Sequence, residues 1–290
     1  MYKKILVPTD FSECSEKALS VGVKFAKRFG AELQVFHASM LPMMDVYSFG
    51  HLIPDYDTLK QSFESKIEDH LKRVEKSLEA QIQPITAFTT GFNAEILIED
   101  YANEHEIDLI VCGTHGHTGL ERKLLGSVSE HIVRHSKCSV LTVHHEVDSE
   151  FPFKKICVPV DFSDESKTSL KIAEALALQW DAKLELIHII INPSHISYML
   201  SHIDVGDDLI ELSEIALEKF AKEIITQPVA YKLNVKIKAT TGYLAEFYTQ
   251  QECDLVIMST HGNTGLKKFF LGNTAETVIR SIKGCTLITK

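Results

Sequence analysis

The chain writes one unit twice. "KKILVPTDFS" at 3–12 and "KKICVPVDFS" at 154–163 agree at eight of ten positions, with an offset of 151. "THGHTGL" at 114–120 and "THGNTGL" at 260–266 agree at six of seven, with an offset of 146. The second copy is therefore five residues shorter between the two landmarks. A repeat near 150 residues is several times longer than a solenoid unit, which leaves duplication of a whole domain. Charge and a proline interrupt the apolar pattern in "HHEVDSEFPF" (144–153), so the seam falls there. The 290 residues divide into domains over 1–146 and 150–290, each long enough to bury its own core.

Within a copy, strand and helix signals alternate. In the first, "KKILVPT" reads as a strand, and Ala18, Val21 and Phe25 mark the apolar face of a helix over 13–29. A strand "AELQVFHA", a long helix near 57–80, a strand near 84–90 and a helix near 94–105 follow. "IDLIVCG" is the fourth strand, 127–136 the fourth helix and "SVLTV" the last strand. These strands are continuously apolar rather than alternating, as in a parallel sheet covered on both faces. The predicted fold class is therefore α/β: two tandem doubly wound, Rossmann-like parallel-sheet domains of five strands each. In such sheets a ligand binds beyond the carboxyl ends of the strands, at the topological switch point. "PTDFS" and "GTHGHTG" both begin at strand ends of this kind. "SVLTV" and "CTLIT" (285–289) each close a copy as an edge strand, and unpaired edges invite pairing. An intramolecular pseudo-dimer of the two halves is expected, with a homodimer of chains as a further option.

Composition narrows the partners. The formal net charge is −10, split evenly: 15 Lys/Arg against 21 Asp/Glu in 1–146, and 15 against 19 in 147–290. No basic face for nucleic acid or an anionic membrane is indicated, and no apolar run is long enough to span a bilayer. The first residues lead directly into a strand, without the features of a signal or transit peptide. The six cysteines (14, 112, 138, 157, 253, 285) are scattered with no C-x-x-C, several within apolar runs. This pattern predicts reduced, buried thiols in a cytoplasmic protein.

The glycine stretch "GTHGHTGLERKLLGS" (113–127) has two readings. Gly113, Gly116 and Gly119 allow close backbone approach, and Gly126-Ser127 opens a helix whose N-terminal amides suit phosphate. Alternatively, "SVSE" (Ser127, Glu130) is an ordinary capping box, with Asn273 and Glu276 its counterpart. No Walker loop and no G-x-G-x-x-G fingerprint occurs. His115 and His117 form an H-x-H, but His117 aligns with Asn263, so no metal site is expected. Arg122 and Lys123 form a basic turn, solvated or beside phosphate. The apolar segment at 41–54 is either a lid or a packing loop.

The first copy resembles the universal stress protein family, whose nucleotide-binding members carry G-x2-G-x9-G-[ST]. Gly113, Gly116, Gly126 and Ser127 fit that spacing in full. "ILVPTDFS" and the closing "SVLTV" are similar to the family as well, and the likeness extends over both copies. It implies an ATP site, with Mg²⁺ as a companion ion. In it Thr9 and Asp10 lie at the adenosine, Ala38 approaches the adenine through its backbone, and Gly113, Gly116, Gly126 and Ser127 hold phosphates and ribose. Where the family often has a proline after the glycine ending strand three, Gly91 is followed by "FNAE" and Gly242 by "YLAE".

The second copy carries Asp161, Ser259, Gly262, Gly272 and Asn273 at the matching positions, so Gly113 is replaced by Ser, Ser127 by Asn and Thr9 by Val160. Losing a hydroxyl contact to a charged phosphate weakens binding by roughly 1.5–3 kcal/mol, whereas Asn caps a helix nearly as well as Ser. A kept fold with a weaker second site is expected. No catalytic residues are assigned: no nucleophile–base pair, Walker Lys or metal-binding carboxylate cluster accompanies the loop. The expected activity is nucleotide binding in stress response or signalling, with at most slow ATP hydrolysis. A slow ATPase, a nucleotide transferase and a non-binding scaffold are the alternatives.

Overall fold

A computed structural model describes residues 1–40, 56–114, 125–147, 153–191, 206–238, 242–260 and 273–290. The first half runs β1 (Lys4–Pro8), α1 (Glu13–Phe29), β2 (Glu32–Met40), α2 (Tyr56–Leu78), β3 (Ile85–Gly91), α3 (Ala94–Glu104), β4 (Leu109–Gly113), α4 (Ser127–His135) and β5 (Ser139–Val143). The second runs β6 (Lys155–Pro159), α5 (Asp164–Trp180), β7 (Lys183–Ile191), α6 (Gly206–Ile224), β8 (Tyr231–Lys238), α7 (Tyr243–Gln250), β9 (Leu255–Ser259), α8 (Asn273–Ser281) and β10 (Cys285–Thr289).

The ten strands form one sheet in the order β3-β2-β1-β4-β5-β10-β9-β6-β7-β8. Within each half every pairing is parallel. The two halves meet where β5 and β10 pair antiparallel, Val143 opposite Cys285 and Val140 opposite Ile288. The closing strands thus satisfy each other's edges, as the sequence predicted. Because that pairing is antiparallel, the carboxyl ends of the two sets of strands point to opposite ends of the sheet.

The continuously apolar strands follow from burial on both faces. Along β1 and β4, Ile5, Val7, Leu109 and Val111 enter one core, which also takes Val21 and Phe25 of α1 and Leu170 and Leu176 of α5. The alternate residues Leu6, Ile110 and Cys112 enter the other, with Ile98 of α3, Ile132 of α4, Phe247 of α7 and Val278 of α8. Each core runs through both halves. On the first face Phe25 and Trp180 lie 4.8 Å apart between ring centres, with Phe153 at 5.7 and 5.2 Å from them. Aromatic pairs of this kind add about 0.5–1.5 kcal/mol beyond their burial. On the other face, α4 and α8 exchange a four-membered ion network. Arg134 reaches Glu130 (2.9 Å) and Glu276 (3.3 Å), and Arg280 reaches Glu276 (2.7 Å) and Glu130 (3.8 Å). The 146-residue offset relates each Arg and each Glu to its counterpart, so the network follows the duplication.

One local expectation is corrected. Cys157 and Cys253 form a disulfide across 96 residues, so not all six cysteines are reduced; β6 and β9 pair side by side and bring the two together. Cys14, Cys112, Cys138 and Cys285 are free thiols. No helix among the described residues is long and apolar enough to cross a membrane.

Candidate functional site

The order β3-β2-β1-β4-β5 reverses direction between β1 and β4, and of the residues singled out in the sequence the described ones, Thr9, Asp10, Ala38, Gly113, Gly126 and Ser127, lie on or next to the strands that flank this switch point. Pro8 ends β1, and the chain turns through Thr9, Asp10 and Phe11 into α1. Ser12 caps that helix, its side chain accepting from the Ser15 amide, as the pattern of small polar residues requires. Asp10 does not cap it. Its Oδ1 accepts from the Ser12 amide (3.0 Å) and from Ser12 Oγ (2.6 Å), which fixes the carboxylate beside the turn. Thr9 is nearly buried and ties the same turn: its Oγ1 lies 3.1 Å from Ser15 Oγ and accepts from the Phe11 amide at 3.0 Å.

Phe11 adopts a left-handed backbone, φ 63°, and Phe162 repeats it at 64° in the second half. A bulky residue there is strained, and the strain recurs at the same turn in both copies. The Phe11 ring stacks 4.7 Å from His37 and lies 4.9 Å from His70. His37, from β2, places Nδ1 2.8 Å from the Thr9 carbonyl, so the neutral ring donates there. Burial pushes the His37 pKa below its ordinary value, against the smaller opposing effect of that bond. Ala38 follows on β2, opposite Thr89 of β3 and half-buried.

Gly113 ends β4 against the first turn of α1. A Cβ there would lie 2.7 Å from Cys14 Sγ and 3.0 Å from the Cys14 carbonyl oxygen, both too close. Gly113 is not at positive φ. Close approach to Cys14, as the sequence suggested, is what calls for glycine there. The segment 115–124, with Gly116, His115, His117, Arg122 and Lys123, lies outside the described residues, as do 41–54. Its two ends are joined, the Gly126 amide donating to the Thr114 carbonyl at 2.8 Å and the Thr114 amide to Val143 at 3.0 Å. Both flanks of the glycine loop are thus held at one point of the sheet.

Gly126, in extended backbone (φ −62°, ψ 146°), is the N-cap of α4, with no side-chain cap bond. The capping-box reading is corrected accordingly. Ser127 is the first residue inside the helix and exposed, and the Glu130 carboxylate goes to Arg134 and Arg280. A helix start without a side-chain cap suits an anion through its amide donors and partial positive charge. Sequence reasoning missed Ser129, one turn in, whose hydroxyl donates to the Gly113 carbonyl at 2.6 Å and fixes the helix start to the strand end. It also missed His37 as a partner of the turn; a histidine recurring at the 151-residue offset was the available signal.

The second half repeats the turn and changes its lining. Asp161 Oδ1 accepts from the Ser163 amide and hydroxyl, and His188 Nδ1 lies 2.8 Å from the Val160 carbonyl. Val160 offers no hydroxyl to the turn. Ser259 puts a side chain where Gly113 has none, and Ile189 of β7 stands where β2 has Ala38. Asn273 opens α8; its side chain lies outside the described residues, as do Gly262 and Gly272.

Two parallel α/β halves, each with a strained turn after its first strand and joined edge to edge, define a tandem duplicated α/β protein. The family model described as the universal stress protein family matches residues 1–144 and again 152–290, and the chain belongs to that family as a tandem two-domain member. Among curated relatives, a universal stress protein of Methanocaldococcus jannaschii is 35% identical over 146 residues, which span 49% of this chain and 82% of the relative. A Bacillus subtilis member is 33% identical over 150 residues, 49% of this chain and 99% of the relative. The crystal structure of a universal stress protein from Archaeoglobus fulgidus superposes with a TM-score of 0.69 at 21% identity, covering 99% of this chain and 96% of its own, which shows the fold.

Proposed function

We propose that the first half binds an adenine nucleotide, with ATP as the ligand, and that the chain is a stress-response or signalling module without fast turnover. The observation that carries this reading is the joining of the Asp10 turn, the Gly113 strand end and the uncapped start of α4 at one switch point. In this reading Asp10, held by Ser12, contacts the adenosine, and the backbone at Ala38 approaches the adenine. The glycine loop from Gly113 through Gly116 to Gly126 and Ser127 cradles phosphates, with Mg²⁺ as companion ion. The second half, with Asp161, Ser259, Gly262, Gly272 and Asn273, binds more weakly. The module is cytoplasmic, and a homodimer of chains would use surfaces other than β5 and β10, which already pair with each other.

Backbone amides hold bound and transferred phosphoryl groups about equally, which gives affinity without rate. Fast transfer needs a held metal, a residue orienting the nucleophile and a cation on the moving charge, and the turn at Asp10 supplies none of these. Mass spectrometry of nucleotide co-purifying with the protein, followed by a phosphate-release assay with Mg²⁺ and saturating ATP, tests the reading. Adenine nucleotide retained with turnover far below about one per second supports it. Faster turnover that is lost on a change at Gly116 or Ser127 would make the protein an enzyme.

A further inference from the structure

The disulfide is the one covalent difference between otherwise duplicated halves. Cys157 sits on β6 with no exposure, and Cys253 precedes β9 and is 8% exposed. The equivalent positions in the first half are Leu6 and Ile107, both buried in the core that also holds Cys157 and Cys253. The first half therefore joins these two points by apolar packing alone. Both halves also share an anchor that needs no sulfur. Asp108 accepts from the amides of Lys3 and Lys4 at 2.8 and 2.9 Å, and Asp254 from those of Lys154 and Lys155 at 2.7 and 2.8 Å. The fold does not require the bond.

What the second half lacks is bulk. Two cysteines carry fewer atoms than a leucine and an isoleucine, so here the bond rather than apolar packing ties β6 to the end of α7, and once it breaks the two sulfurs must part from bonding to van der Waals distance, which pushes the segments apart. α7 has a second weakness at the same end. The Cys253 amide bonds to the Tyr248 carbonyl (3.1 Å), while the buried Tyr248 hydroxyl has no hydrogen-bond partner among the described residues. Leaving such a group unpaired disfavours the closed structure. α7 spans eight residues where α3 spans eleven.

We propose that Cys157 and Cys253 form a reversible redox site: a low-molecular-weight thiol reduces the bond through Cys253, and α7 with the start of β9 loosens while the first half is unchanged. This does not depend on nucleotide binding. In the reaction the thiolate of the reductant attacks Cys253 Sγ, a mixed disulfide forms, and the bond to Cys157 breaks. Cys157 leaves as a thiolate and takes a proton. A second thiol then attacks the mixed disulfide, releasing Cys253 as a thiol and the reductant as its own disulfide, so two thiols supply the two electrons. Burial pushes the Cys112 and Cys285 thiols up to about 12 and raises that of Cys138, which disfavours rearrangement through these three.

The test uses the full chain under native conditions, with and without millimolar dithiothreitol. Alkylation after a denaturing quench and intact mass count free thiols, and hydrogen exchange is read on peptides covering 243–257 and, as the internal reference, 94–111. The expected result is two additional thiols after reduction and exchange at least about tenfold faster in 243–257, with 94–111 unchanged. A Cys157→Leu/Cys253→Ile chain, which restores the first half's own pair, should keep its protection and ignore the thiol. A bond that resists native reduction, six alkylated cysteines in the untreated protein, or reduction without faster exchange in 243–257 would each overturn the proposal.

Discussion

The first and second clefts share a turn and differ in what surrounds it. Asp10 and Asp161 make the same bonds to Ser12 and Ser163, Phe11 and Phe162 hold the same left-handed backbone, and His37 and His188 brace the same carbonyl. Around them Thr9 has become Val160, Ala38 has become Ile189, Gly113 has become Ser259 and Ser127 has become Asn273. The retained residues satisfy backbone groups of the fold. Of the exchanged ones, Thr9 also ties its turn through the Phe11 amide, Gly113 lies against Cys14 and Ser127 opens its helix. Duplication followed by loss of one ligand requirement would leave this division.

The comparison can be broken by moving residues across it. The largest effect is expected at the helix start. Ser127→Ala should weaken ATP binding about 10- to 150-fold, the loss of a hydroxyl bond to a charged group, while Asn273→Ala leaves the strong site as it was; calorimetric titration reads both. Next is Gly113→Ala, whose Cβ meets Cys14 Sγ at 2.7 Å and Cys14 O at 3.0 Å. Urea unfolding should show a loss of about 1–3 kcal/mol from this overpacking, and Ser259→Gly should show no such loss in reverse.

A smaller effect is expected at the ends of α1 and α5, which Gly30 (φ 63°) and Asp181 (φ 52°) close in the same left-handed conformation. Asp181→Gly should stabilise the chain by up to about 1 kcal/mol and Gly30→Ala destabilise it by a similar amount, both measurable by thermal unfolding. Acidification should have the smallest effect. His37 is neutral in the fold with a depressed pKa, so the unfolded chain binds the extra proton first. Its contribution is present above the unfolded value near 6.5 and is lost as pH falls below it. His37→Gln should flatten that part of the pH–stability curve.

Much of this was readable from the residues. The two offsets gave the duplication, and continuous apolar runs gave a sheet covered on both faces. The edge positions of "SVLTV" and "CTLIT" gave the junction between halves. The predicted 13–29 helix and the last strand of each copy match the structure residue for residue. What remained hidden depends on contacts between distant residues. Gly113 looks like a turn glycine until Cys14, 99 positions earlier in the chain, is seen against it. Gly126 rather than Ser127 is the cap, because Glu130 is drawn to arginines of both halves and not to the helix start. The Cys157–Cys253 bond follows from β6 lying beside β9, a pairing that cysteine spacing does not encode.

The central claim is an inequality between two clefts built on one plan, and titrating the chain with ATP tests it most directly. The unmodified protein should take up one nucleotide per chain at the strong site. Gly116→Leu should abolish that uptake, and Gly262→Leu should leave its stoichiometry and affinity unchanged. Two equal sites in the unmodified chain, or equal losses from the two substitutions, would contradict the account.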